Sequence, residues 1–146
     1  MSAPITAAAI ISFSERLQEV SAAFYRALGE AYPAQGGAFG GYAQRCERDR
    51  VQIVRTYRET VTDALETNYS FEGLVVPEGL LGVAVPAGDW KAALGQALAL
   101  EGGVAAFYEE VAARGEGLLA TIPRAYRRVA ARRRAQEAEL RALPSA

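Results

Sequence analysis

Few residues in this chain can do chemistry, and their spacing matters more than their number. Glu101 lies seven residues before Tyr108 in "LEGGVAAFYEE", and Gln18 lies seven before Tyr25 in "LQEVSAAFYRA". Seven residues are close to two helical turns, so each pair falls on one helix face. An acid on a buried helix face can ligate a metal, exchange a proton or anchor a polar cluster. The remaining side chains limit the choice. No histidine occurs in the 146 residues, which removes the commonest general base and the commonest metal ligand together. Cys46 is the single cysteine, so an internal disulfide is excluded and a reducing, cytoplasmic setting is expected. A lone thiol with no imidazole beside it is a poor metal site. Cys46 reads better as a small buried hydrophobe.

Composition sets the frame for these residues. Apolar side chains make up 51% of the chain and the net charge is −1. That implies one domain over residues 1–146 with a true core, and no overall charge that would draw it to nucleic acid or membrane. The apolar start "APITAAAIISF" gives way to "SERLQE" too early to span a bilayer. "GGAFGG" precedes a helix but follows no strand, so it reads as a hairpin loop and not a phosphate cradle.

Four helices must position the polar residues. The first is predicted from about Thr6 to Tyr32, with Ile10, Leu17, Phe24 and Leu28 at helical spacing, and "YPAQGG" breaks it. A second runs from about Phe39 to Glu66, with Phe39, Tyr42, Cys46, Ile53, Tyr57, Val61 and Leu65 on one stripe. The third follows Asp89, a good N-cap, and carries Leu94, Leu98, Val104, Tyr108 and Val111. The fourth holds Pro123 in its first turn and carries Tyr126, Val129, Leu140 and Leu143. Short links make two antiparallel hairpins. Between them lies "NYSFEGLVVPEGLLGVAVPAG", too aliphatic for a solvated linker. The expected fold is an all-α four-helix bundle with a long crossover between helices two and three.

The repeated phrase on such a frame resembles the first helix of each hairpin in the rubrerythrin-like branch of the ferritin-like superfamily. That family's second helices carry an aromatic, then Glu seven residues on, then His three beyond. The resemblance covers nearly the whole chain and implies a buried di-iron carboxylate centre fed by four helices. Carried over position by position, Gln18 and Glu101 take the first-helix places. Anchoring on Phe39 puts Cys46 and Asp49 in the second-helix places, although a register one residue later would put Glu47 and Arg50 there. Anchoring on Tyr126 puts Arg133 and Gln136 in the fourth. Of six ligand positions one matches, and Arg133 would set a cation where a cation should bind. The resemblance therefore implies a ferritin-like protein that has lost its metal site and cofactor, and acts as a non-enzymatic binding or structural protein.

Glu101 is expected in a buried polar cluster with Gln18, Asp49, Arg133 and Gln136. The competing reading is a ferritin-like oxidoreductase or metal-binding protein with an aberrant site built from Glu101, Asp49 and Cys46 or Glu47. Gly102 and Gly103 in mid-helix point to helix packing, or to a π-bulge or closely approached backbone. From Ile122 onward seven Arg face two Glu. A nucleic-acid binder working through this last helix is the further alternative, but the arginines scatter around the helix and read as a solvated face. The aliphatics from Leu74 to Val85 suggest a homodimer with this segment at the interface. No nucleic-acid or membrane partner is expected, and the sequence names no small-molecule ligand.

Overall fold

The computed structural model describes residues 5–34, 36–60, 70–71, 74–86, 89–115 and 121–143. Helix α1 spans Ala7–Ala31. Thr6 caps it, its hydroxyl accepting from Ala9 N at 3.1 Å, and Tyr32 N closes the far end on Leu28 O at 3.0 Å. Pro33 cannot continue the ladder. A 3-10 turn over Gly36–Ala38 leads into α2, Phe39–Thr60. Residues 61–69 lie outside the described set, and with them the predicted end of α2 and its stripe positions Val61 and Leu65. Helix α3 spans Trp90–Gly115, capped by Asp89, which accepts from Lys91 N at 3.0 Å. Helix α4 spans Thr121–Arg141, with Pro123 in the first turn where a missing N–H costs little.

The four helices form one hydrophobic core, with Leu17, Tyr25, Leu28, Phe39, Ile53, Leu100, Val104, Tyr108, Tyr126, Val129 and Leu140 all buried. Helix α1 packs most broadly on α2, and α3 on α4, while α2 and α4 share a third interface. Cross-helix contacts give the directions. Tyr25 meets Tyr42 while Glu15 meets Arg50, so α1 and α2 are antiparallel. Phe13 meets Phe107 while Tyr25 meets Glu101, so α1 and α3 are antiparallel as well.

Two features go beyond the helical pattern. Ile5–Thr6 (β1) pairs antiparallel with Ser70–Phe71 (β2). Thr6 is already extended at φ −73°, ψ 157° as the N-cap, so its backbone can join a ladder before the helix begins. The second feature is a 3-10 helix, Glu78–Gly82, lying against α1 and α3. Its Leu80 side chain sits where a Cβ on Gly103 would be, 2.9 Å from Cδ2. The mid-helix glycine admits this neighbour, and α3 is α-helical throughout, with no π-bulge. Leu74 is buried, and Val76, Leu80, Leu81, Val83 and Val85 pack partly on the core. Among the described residues no helix is long and apolar enough to cross a membrane.

Candidate functional site

Polar side chains from α1, α3 and α4 converge in the middle of this core. Glu101 is fully buried, and one of its oxygens, Oε1, accepts from three donors. These are Arg133 at 2.7 Å, Gln136 Nε2 at 3.1 Å and the Tyr25 hydroxyl. The other terminal guanidinium nitrogen of Arg133 donates to Gln18 Oε1 at 2.6 Å. Gln18 Nε2 then donates to the Tyr108 hydroxyl at 3.0 Å, and Tyr108 donates to the Ser14 carbonyl at 3.1 Å. Ser14 Oγ donates to the Ile10 carbonyl at 2.7 Å and lies 2.6 Å from the Tyr126 hydroxyl, which is left to donate to it. Hydrogen bonds thus run through the core from Tyr25 to the Ser14 carbonyl, and the Ser14 hydroxyl links Tyr126 to the Ile10 carbonyl beside them. Within this cluster, Glu101 Oε2 and Arg133 Nε are buried without a hydrogen-bond partner.

The two repeated phrases act as a reciprocal pair. Tyr25, from the first, donates to Glu101 of the second, while Gln18 of the first donates to Tyr108 of the second. The helices that follow repeat the relation, since Tyr25 stacks with Phe39 at 6.0 Å and Tyr108 packs on Tyr126 at 4.8 Å. Even the adjacent aromatics match: Phe24–Tyr25 and Phe107–Tyr108 are both edge-to-face, at 5.5 and 5.8 Å.

Electrostatics here favour a charged Arg133 and neutral phenols and thiol around it. Burial alone would push the guanidinium down, but Glu101 beside it holds it above its ordinary value. Burial, then Glu101, pushes the Tyr25 phenol well up, and burial does the same to Tyr108 and Tyr126. Cys46 is buried and its thiol is pushed up to about 11, chiefly by burial. A neutral thiol in this position is a packing group and not a nucleophile.

Asp49 does not join the cluster, which corrects the expectation for it. It is buried, but Arg132 reaches it from α4 with two nitrogens, at 2.8 and 2.6 Å. Arg132 also donates to Gln52 at 2.8 Å. The two terminal nitrogens of Arg133 are taken by Glu101 and Gln18, so the outer flank of Asp49 falls to Arg132. Burial raises the Asp49 carboxyl despite that partner. Glu47 and Arg50, the other register for the second helix, are partly exposed and bond to each other at 3.4 Å.

The chemistry of this donor set is unsuited to a pair of metal ions. It offers one carboxylate, already accepting three hydrogen bonds, beside a permanent cation. No group of three or more His, Cys, Asp and Glu among the described residues is arranged to hold a metal. The site residues that sequence reasoning missed are Tyr25, Tyr108, Ser14 and Tyr126. The seven-residue spacing shared by both phrases was the available signal for the first two, and Ser14 had none. No family model matches the chain, and neither a curated protein nor a solved structure matches it.

Proposed function

We propose that the chain is a ferritin-like domain of the rubrerythrin-like branch whose di-iron centre has been replaced by an internal ion pair, leaving a non-enzymatic binding or structural protein of the cytoplasm. One observation carries the reading. Arg133 and Glu101 pair at 2.7 Å, with side chains 1% and 0% exposed, where the four carried-over positions Gln18, Glu101, Arg133 and Gln136 meet. A guanidinium there supplies the positive charge that the metals would otherwise bring.

Further support comes from the reciprocal use of the two phrases, as a doubled hairpin requires. Because α1 is antiparallel to both α2 and α3, those two run parallel, which supports the reading of a long crossover between them. The oxidoreductase reading has no such support, since Asp49 is held by Arg132 and Glu47 by Arg50. In the last helix, Arg132, Arg133, Arg134 and Arg141 are all engaged by acids of the same chain. Elemental analysis after expression in iron-supplemented medium, without chelator, tests the proposal. We expect iron, manganese and zinc far below stoichiometry; about two metals per chain, as a di-iron site demands, would overturn it.

A further inference from the structure

Among the described residues, the outer face of α2 carries three arginines that no acid pairs with. Arg48, Arg55 and Arg58 share one helix stripe over about 15 Å at 1.5 Å per residue. Among the described residues none of the three makes an ion pair or hydrogen bond. Among the described residues, the acids that line the grooves of this face are already committed, Glu15 to Arg50, Glu47 to Arg50 and Arg26, and Asp49 to Arg132. A chain with net charge −1 thus concentrates unpaired cations on one surface, a departure from its own balance.

Shape and an apolar residue narrow what this surface fits. Three shallow grooves run along α2 and share walls: Arg48 and Gln52 join the first to the second, and Val51 and Arg55 join the second to the third. Val51, in the middle of the stripe, is 43% exposed and is one of two exposed large hydrophobics among the described residues. Val54, partly buried against the core, lines the same trough. Phosphate tracking needs arginines alone, whereas a trough that places valines between arginines suits a ligand with both acids and an apolar edge.

We propose that this face docks an acidic amphipathic helix of a partner protein, its carboxylates on Arg48, Arg55 and Arg58 and its apolar edge on Val51 and Val54. The surface lies outside the buried cluster, so the proposal stands whether or not the domain is a metal-free ferritin relative.

The test uses the full chain and a synthetic helical peptide of about twenty residues, with Glu flanking a Leu stripe at i, i+3 and i+7 spacing. Its controls are a same-composition peptide with the stripe scrambled, duplex DNA and phosphatidylserine vesicles. Fluorescence anisotropy should show saturable binding of the striped peptide that weakens with salt, as screening of exposed charges requires. R48E combined with R55E and R58E should weaken it at least about tenfold. V51S should weaken the striped peptide several-fold without affecting the scrambled one. Circular dichroism melts of these exposed-site variants confirm that the fold is retained. Equal binding of striped and scrambled peptides would overturn the proposal in favour of a generic polyanion surface. Tighter binding to DNA or vesicles, unchanged affinity in the triple variant, or no binding of the striped peptide would each overturn it too.

Discussion

Arg133 is the residue whose loss the core can least accommodate. Deleting one member of a buried ion pair strands the other, while the intact pair stabilises little because desolvation offsets the attraction. Arg133→Ala should therefore destabilise the protein by about 3–5 kcal/mol. Arg128→Ala, at an exposed position on the same helix, should stay within about 0.5 kcal/mol. The double change Glu101→Leu with Arg133→Met should recover part of the loss, since both charges then leave together. Denaturant melts of the three variants beside wild type decide this, and an Arg133→Ala curve that overlays Arg128→Ala would sink the account. Cys46 makes a second prediction at this scale. Its folded pKa of about 11 lies above the ordinary thiol value of 9.0, so its contribution is complete below pH 9 and is lost as pH rises through 11. Between pH 9 and 10 Cys46 should add up to about 1.4 kcal/mol per pH unit to the loss of stability, beside the loss from the buried phenols, which also ionise first in the unfolded chain. Melts of Cys46→Ala over the same range should show a correspondingly shallower slope.

Glycines set the difference between a helix's own preference and what its neighbours require. Gly95 lies on α3 with open space around it. Gly95→Ala should stabilise the protein by up to about 1 kcal/mol, the usual helix-propensity difference. Gly103→Ala gains the same propensity but must move Leu80, whose two terminal carbons would stand 2.9 and 3.0 Å from the new methyl. We expect Gly103→Ala to fall short of Gly95→Ala, and the shortfall to shrink when Leu80 is also changed to Ala. Chemical denaturation of wild type, Gly95→Ala, Gly103→Ala, Leu80→Ala and the Gly103→Ala, Leu80→Ala double variant measures the coupling, and equal gains at both glycines would show that Leu80 does not rest on Gly103. The four helices were legible from spacing and caps, because burial repeats every turn and Asp89 and Pro123 punctuate it. The partner of Gly103 was not legible. It comes from a segment more than twenty residues away whose path no local pattern encodes.

For the whole molecule, the proposed homodimer follows from surface that the fold leaves uncovered. Most connector aliphatics find partial cover on their own core, but Val75 remains 78% exposed. A second copy across that edge would bury it together with the half-covered Leu81 and Val83. Light scattering at micromolar concentration should give twice the chain mass, and Val75→Asp should return the monomer mass while circular dichroism keeps the helical spectrum. A monomer in the wild type would overturn the expectation of a homodimer. The partner-docking face on α2 is a separate surface, so its peptide titration should be unaffected by Val75→Asp.

By itself the sequence determined the helical class, the helix starts and the residues that would be buried, because hydrophobic period and capping chemistry act within a few residues of each other. It also carried the two phrases and their seven-residue spacing, and hence which faces of α1 and α3 would meet. Only the tertiary structure decided which polar groups pair inside. Arg132 and Arg133 are neighbours in sequence, yet one reaches Asp49 across the α2–α4 interface and the other Glu101 and Gln18 in the centre. Their side chains leave the helix about 100° apart, so a single step in the chain separates two partners on different helices. Charge pairing of that kind depends on where three helices come to rest against one another, and no local spacing within any one of them contains it.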